Sequence, residues 1–184
     1  MKIRDARPGD GLGIARVQVT SWRETYTGIV PQEYLNLLGV AERGARWTER
    51  VLDAANVILV AEDDVGVFGF AAGGATIHPV DGYDAELMGL YLLRSHHREG
   101  AGRALVRAFA GRLAPRGFQS MVVWALKENP ACGFYQRMGG VRVAEKTIEV
   151  GGAELPEVAF GWKNIRTLCR SDDLRDGLKA RPSK

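Results

Sequence analysis

A nearly uninterrupted apolar run, Leu87-Met-Gly-Leu-Tyr-Leu-Leu93, gives way to a short polar turn and then to Gly100-Ala-Gly102. No polar residue alternates within the run, so it reads as a strand covered on both faces. Beyond the glycines, Ala101, Ala104, Leu105, Ala108, Phe109 and Leu113 recur at helical spacing. They predict a helix over residues 100–114, stopped by Pro115 and Gly117. Strand, glycine turn and helix start together form an anion cradle. The first N–H groups of the helix have no internal acceptor, its dipole favours negative charge, and glycine lets a phosphate approach the backbone. A lone carboxylate, Glu86, stands at the head of the strand.

The common nucleotide motifs do not fit this cradle. A dinucleotide fingerprint requires a third glycine where Leu105 stands, and a Walker loop requires Gly-Lys-Ser/Thr where the chain has Gly102-Arg-Ala. The earlier Gly9-Asp-Gly11-Leu-Gly13 follows a short strand, but Pro8 and Asp10 suit a turn and a helix N-cap.

The remaining periodicities place a strand at Lys2–Ala6 and helices at Asp10–Tyr26, Pro31–Leu38 and Ala41–Ala54. Strands follow at Val57–Glu62, Val65–Gly73 and Ala85–Leu93, then the cradle helix, a strand at Gln119–Ala125 and a helix at Pro130–Met138. Two last strands, Val141–Val150 and Leu155–Trp162, join through Gly151-Gly152 as a hairpin. The chain of 184 residues is 46% hydrophobic and 26% charged, suited to one α/β domain with its own core. Its apolar runs are shorter than a membrane span, and its two cysteines suit neither a disulfide framework nor a zinc site. A cytoplasmic protein is expected.

Glu86-Leu-Met-Gly-Leu-Tyr-Leu followed by His97-Arg-Glu-Gly100-Ala-Gly102-Arg-Ala-Leu105 resembles the acyl-CoA site of the GNAT acyltransferase superfamily. That family's signature is Arg/Gln-x-x-Gly-x-Gly/Ala, and His97 departs from it at the first position. Three further segments are similar to the family in the same order along the chain. They are Ala61 to Ala72 as a hairpin, Trp124 to Gly140 with Asn129 and Phe134-Tyr135, and Gly161-Trp-Lys163. Near the front, Ser21 to Pro31 resembles an acceptor-side segment of bacterial members. The resemblance covers residues 1–163 and implies one GNAT domain, with a mixed, mostly antiparallel sheet of about seven strands flanked by helices. Residues 164–184 are expected to form a basic, flexible tail.

The implied activity is transfer of an acetyl group from acetyl-CoA to a primary amine, without a metal and without a covalent enzyme intermediate. An alkyl ammonium has a pKa near ~10, so a base must free its lone pair. Glu86 is the candidate base, acting directly or through a water, because an apolar strand disfavours the charged carboxylate and strengthens it as a proton acceptor. Tyr135 is the candidate general acid for the departing thiolate. The cofactor-binding set is Leu90, Tyr91 and Leu92 along the strand, His97, Arg98, Glu99, Gly100, Ala101, Gly102, Arg103 and Ala104 around the cradle, and Asn129. Leu90 and Leu92 would act through their backbones, like an added strand against the pantetheine arm. Arg107, one turn further, is read as solvated. Cys132 has no histidine placed to activate it. His78, His96 and His97 are read as loop residues.

Trp22 and Tyr26 are the substrate-binding candidates, with Tyr34 beside them, while Glu24, Glu33, Asp81 and Asp84 could draw a cation. The acceptor is expected to be a small-molecule or peptide amine, and a homodimer is left open. Alternatives are a non-catalytic acyl-CoA sensor and acetylation of a macromolecular amine, such as a peptide N-terminus or an aminoacyl-tRNA. From Lys163 to Lys184, seven basic residues stand against three aspartates. No aromatic residue interleaves them after Trp162, which favours a solvated tail over a nucleic-acid surface.

Overall fold

The computed structural model describes residues 1–169, and residues 170–184 of the expected tail lie outside the described residues. The chain runs β1 (Lys2–Asp5), α1 (Gly11–Tyr26), α2 (Gln32–Leu37), α3 (Val40–Leu52), β2 (Val57–Glu62), β3 (Val67–Ala75) and β4 (Ala85–Leu92). It continues through α4 (Ala101–Leu113), β5 (Met121–Leu126), α5 (Ala131–Arg137), β6 (Val141–Val150), β7 (Ala153–Trp162) and α6 (Arg166–Cys169). One seven-stranded sheet has the order β1-β2-β3-β4-β5-β7-β6. Every neighbouring pair is antiparallel except β4 with β5. That parallel pair has only two rungs, Ala85 with Met121 and Glu86 with Val122. Past Glu86 the strands diverge, and the sheet opens into a fork.

Helices cover both faces. Leu105, Phe109 and Leu113 of α4 pack on Leu59, Leu87 and Met121 on one side. On the other, Ile14 and Val17 of α1 and Trp47 of α3 pack on Ile58, Val60 and Phe70. The end of α1 and α2 meet the β6–β7 hairpin through Tyr26, Leu35, Tyr34 and Ile148. The packed region runs past the boundary expected at Lys163. Ile165 and Leu168 are buried in the same core cluster as α4, so residues 164–169 belong to the domain.

Element ends shift where a side chain captures backbone N–H groups. Asp63 accepts from Val65 and Gly66 at 2.9 and 3.1 Å, so the turn takes the residues expected to begin β3. Asp10 precedes α1 as expected, yet its carboxylate grips the Arg4 guanidinium at 2.6 and 2.9 Å and the Arg7 N–H at 2.7 Å and does not cap the helix. Gly11 serves packing: a Cβ there would lie 2.6 Å from the Gly44 carbonyl oxygen of α3.

β5 starts at Met121, later than expected, because Gln119 and Ser120 donate their N–H groups to Asp84, each at 2.9 Å. The Ser120 hydroxyl adds a third bond at 2.8 Å. Asp84 thereby clamps the heads of β4 and β5 together just before their two rungs. Burial opposes its charge, but the Gln119 and Ser120 bonds prevail and hold the Asp84 carboxyl below the ordinary carboxylate range. A depressed folded pKa contributes stability that is full above the unfolded value of about 3.9 and is lost as pH falls through the folded value. Asp84→Asn should therefore lower Tm at neutral pH and flatten the loss of Tm between about pH 5 and pH 2, read by calorimetry across that range. An acid limb as steep as in the wild type would remove Asp84 as a cause.

Candidate active site

The cradle is built by the turn before α4. Arg98 has a φ of 65°, the one positive value at a non-glycine among the described residues, and Gly100 follows at 86°. Gly100 supplies no side chain to cap α4, and the first intrahelical bond is Ala104 N–H to the Gly100 carbonyl at 3.0 Å. The N–H groups of Ala101, Gly102 and Arg103 therefore lack acceptors within the helix. Glu99 and Arg103 are exposed beside them, and Ala101 is buried. Gly102 sits where β4 and α5 come closest to the cradle. A Cβ there would stand 3.6 Å from both Leu92 Cδ1 and the Phe134 ring.

The histidines of this turn hold the protein to itself. His97 Nε2 is 3.1 Å from the Leu92 carbonyl oxygen. His96 stacks on Phe68 at 4.0 Å between centroids and meets Asp63 at 3.2 Å.

β4 lines the fork. Leu93 N–H donates to the Phe68 carbonyl at 2.8 Å, so by alternation the backbone groups of Leu90 and Leu92 face away from β3, into the gap. The Leu92 carbonyl already accepts the Ser21 hydroxyl of α1 at 3.0 Å as well as His97. The Leu92 N–H and both Leu90 groups are left facing the fork. Upstream, Gly73 pairs with Leu87 and Ala72 with Gly89, which makes Met88 an extra residue, a β-bulge. Leu87, Leu90 and Leu92 thus share the α4 face, while Tyr91 packs on the α1 side with Phe70.

Tyr135 lies at the far wall of the fork, 4% exposed, among Phe134, Phe160 and Trp162. Burial pushes its phenol well above the ordinary tyrosine value, and the nearby Tyr91 acts in the same sense. Asn129 is engaged at both ends of its amide. Its Oδ1 accepts the Ala131 N–H at 2.9 Å, and its Nδ2 donates to the Tyr26 hydroxyl at 2.8 Å. Tyr26 is buried, and Trp22 is half-buried with its Nε1 donating to the Tyr91 hydroxyl at 3.0 Å. The two rings stack edge-on at 4.8 Å, and Tyr34 lies 6.0 Å from Trp22. These aromatics form a packed wall on the α1 side of the fork.

Glu86 is 2% exposed, but its surroundings are not apolar. Its Oε2 accepts the Thr76 hydroxyl at 3.3 Å and the N–H groups of Ile77 and His78 at 3.1 and 3.0 Å. Its Oε1 lies 2.8 Å from His78 Nδ1. The expectation of an unpartnered carboxylate on an apolar strand is corrected: the β3–β4 loop folds back and fills it with donors. His78, read from the sequence as a loop residue, does lie in a loop but holds Glu86, and a histidine in the loop preceding the strand of a lone buried glutamate is a signal that can be sought. The sequence gives no sign of Glu157 of β7, and Ser21 enters there only as the first residue of the acceptor-side segment. Burial raises the Glu157 carboxyl above its ordinary value, while Lys146 at 3.6 Å pulls it down. Of the proposed cation-drawing carboxylates, Asp84 is spent on the strand clamp.

Beside His78 lies a depression of about 780 Å³, walled by Pro79, Tyr83, Trp124, Lys146 and Lys163. Lys146 sits 4.2 Å over the Trp124 ring and Lys163 4.0 Å over Tyr83. Among the described residues, no helix is long and apolar enough to cross a membrane.

A sheet forked between two parallel strands, with a glycine cradle at the helix after the first, is the frame of the site. Residues 65–148 match the family model described as FR47-like protein. YuaI of Bacillus subtilis, named an uncharacterized N-acetyltransferase, is 43% identical over 167 residues, spanning 90% of this chain and 95% of that protein. The chain belongs to the GNAT superfamily of N-acetyltransferases and is an acyltransferase. Two solved structures share its fold. PaiA N-acetyltransferase of Thermoplasma acidophilum, solved with coenzyme A, is 19% identical with a TM-score of 0.65, over 85% of this chain and 96% of that one. YncA of Salmonella typhimurium, solved with acetyl-CoA, is 22% identical with a TM-score of 0.68, over 88% and 92%.

Asn129 joins a helix cap to a tie across the fork. Asn129→Ala should cost about 1–2 kcal/mol, read as a lower urea midpoint. Asn129→Asp keeps the cap acceptor but loses the donor to Tyr26, and should recover only part of the loss.

Proposed function

We propose that the protein moves the acetyl group of acetyl-CoA directly to a primary amine of a small molecule or peptide. The observation that carries this reading is the fork itself. It opens one residue past Glu86, exposes the backbone of Leu90 and Leu92, and ends at the cradle of Gly100 and Gly102. The residues present fit a CoA arm. The N–H groups of Ala101, Gly102 and Arg103 suit a pyrophosphate, with Arg98 and Arg103 as flanking charges. Absence of a side chain at Gly102 keeps the passage between Leu92 and Phe134 clear. The backbone of Leu90 and the Leu92 N–H suit the pantetheine amides. Acetyl-CoA supplies the thioester.

The chain's own groups handle the protons. A phenol whose pKa is raised by burial stays protonated, so Tyr135 arrives able to donate to a developing thiolate. Glu86 sits at the vertex where the acceptor amine must lose its proton, and, buried under the β3–β4 loop, it acts through an intermediary. Cys132 supports direct transfer: burial raises its thiol pKa, and its Sγ donates to the Leu126 carbonyl at 3.4 Å. A thiol held this way is a poor nucleophile.

Release of CoA thiol from acetyl-CoA with pooled primary amines tests the reading. The wild type should show amine-dependent release, and Tyr135→Phe should reduce kcat by about 10²-fold. Full activity in that variant would mean that sulfur is protonated by another group. Gly102→Val should raise KM for acetyl-CoA by about tenfold or more, corresponding to ~1.4 kcal/mol of lost binding. An unchanged KM would remove the CoA arm from this passage.

A further inference from the structure

We propose that His78, held in place by Glu86, is the general base that takes the proton from the acceptor amine. The proposal rests on the acetyl-transfer reading and supplies an intermediary between the buried Glu86 carboxylate and the acceptor. A carboxylate offers about four lone-pair sites. In Glu86 the Thr76 hydroxyl and two backbone N–H groups converge on Oε2, and the His78 ring holds Oε1. Glu86 is buried and does not line the open depression, whereas His78 does.

Its partner is placed differently. The Glu86 carboxylate only accepts, so His78 Nδ1 carries the hydrogen and the ring's lone pair lies at Nε2. The His78 side chain is 50% exposed, against 3% for Glu86, and it lines the open depression with Tyr83 and Trp124. One end of the imidazole is pinned beneath the surface and the other faces the space where an acceptor can enter. A buried carboxylate that fixes the tautomer and balances the imidazolium is how a histidine is made an oriented base. Glu86 is then a positioning residue.

The charged groups around this ring come from three strands and two loops. They are Glu86 on β4, Glu157 on β7, Lys146 on β6, and Asp81 and Lys163 from the loops beside it. Glu86 itself stands on the last parallel rung, opposite Val122, which places the pair beside the fork.

In the proposed step the acceptor arrives as an ammonium. His78 Nε2 takes one N–H proton, Glu86 balances the imidazolium, and the exposed ring passes the proton to water. The freed lone pair forms a C–N bond to the acetyl carbon. The C–S bond breaks with its electron pair on sulfur, and Tyr135 protonates that sulfur. The second N–H proton, lost as the amide forms, restores the Tyr135 phenol. The products are an amide, CoA thiol and one proton in solvent.

Two measurements on the full chain test this. The first is an NMR spectrum of protein labelled with 15N-histidine, which should show His78 as the Nδ1–H tautomer. An Nε2–H tautomer would overturn the proposal outright. The second compares n-propylamine, a protonated acceptor at neutral pH, with hydroxylamine, which is largely unprotonated there. His78→Gln should lower kcat/KM for n-propylamine by about 10²-fold and abolish the acid limb of its pH profile, while hydroxylamine changes by no more than about threefold. Glu86→Gln should give mixed tautomers and a smaller loss in the same direction, with Tm recorded to show that both variants are folded. Equal losses for the two amines, or unchanged rates, would reduce His78 to a loop clamp. A wild type that binds acetyl-CoA yet acetylates neither probe nor pooled amines counts against the acetyl-transfer reading, and the tautomer then decides the dyad by itself.

Discussion

Two rungs of parallel ladder, Ala85 with Met121 and Glu86 with Val122, are all that join the two halves of the sheet through β4 and β5. A sheet interior normally satisfies every backbone polar group by strand pairing. Here pairing stops, and the groups of Leu90 and Leu92 must find other partners. The Ser21 hydroxyl and the His97 ring take the Leu92 carbonyl, and the rest of the edge faces the gap. The surrounding structure keeps that gap at a fixed width. Asp84 clamps its closed end, Asn129 and Tyr26 tie α5 to α1 across it, and the α4 cradle meets β4 and α5 at its mouth.

The fork also separates two chemical environments. On the α4 side lie helix N–H groups without acceptors in the helix, with the exposed Arg98 and Arg103 beside them. On the side of the β6–β7 hairpin, Glu86, His78 and Glu157 gather near Tyr26 and Trp124, with aromatic rings and two lysines around an open depression. In the proposed reaction the proton acceptor lies on the second side and Tyr135, the thiolate's partner, near the junction. Burial shapes the Tyr135 phenol, and the competition of burial with Lys146 shapes the Glu157 carboxyl.

Much of this was legible in the sequence because it is local. The apolar run, the glycines and the helical period placed β4, the cradle and α4 to within a residue or two, and β2 begins and ends where its pattern says. Contacts closed by tertiary folding were less legible. Tyr26 meets Asn129 across 103 positions, and Ser21 meets Leu92 across 71. The Glu86–His78 pair spans only eight positions, but it exists because the β3–β4 loop folds over the strand, which periodicity does not report. Likewise, Ile165 and Leu168 read as the start of a basic tail, since two apolar residues are too few to show a period, yet both are buried.

The bulge at Met88 has a wider consequence. Side chains alternate strictly along a regular strand, so residues an odd number apart point to opposite faces. Glu86 and Tyr91 are five apart and Leu87 and Leu90 three apart, yet each pair shares a face because one residue is left out of the ladder. The bulge acts as a phase shift in the middle of β4. It lets one continuous strand present its proton chemistry to one compartment and its apolar packing to the other, and it turns the Leu90 and Leu92 backbone toward the gap between them. The length of β4, counted to a single residue, is therefore under a stricter constraint than the identity of most side chains along it.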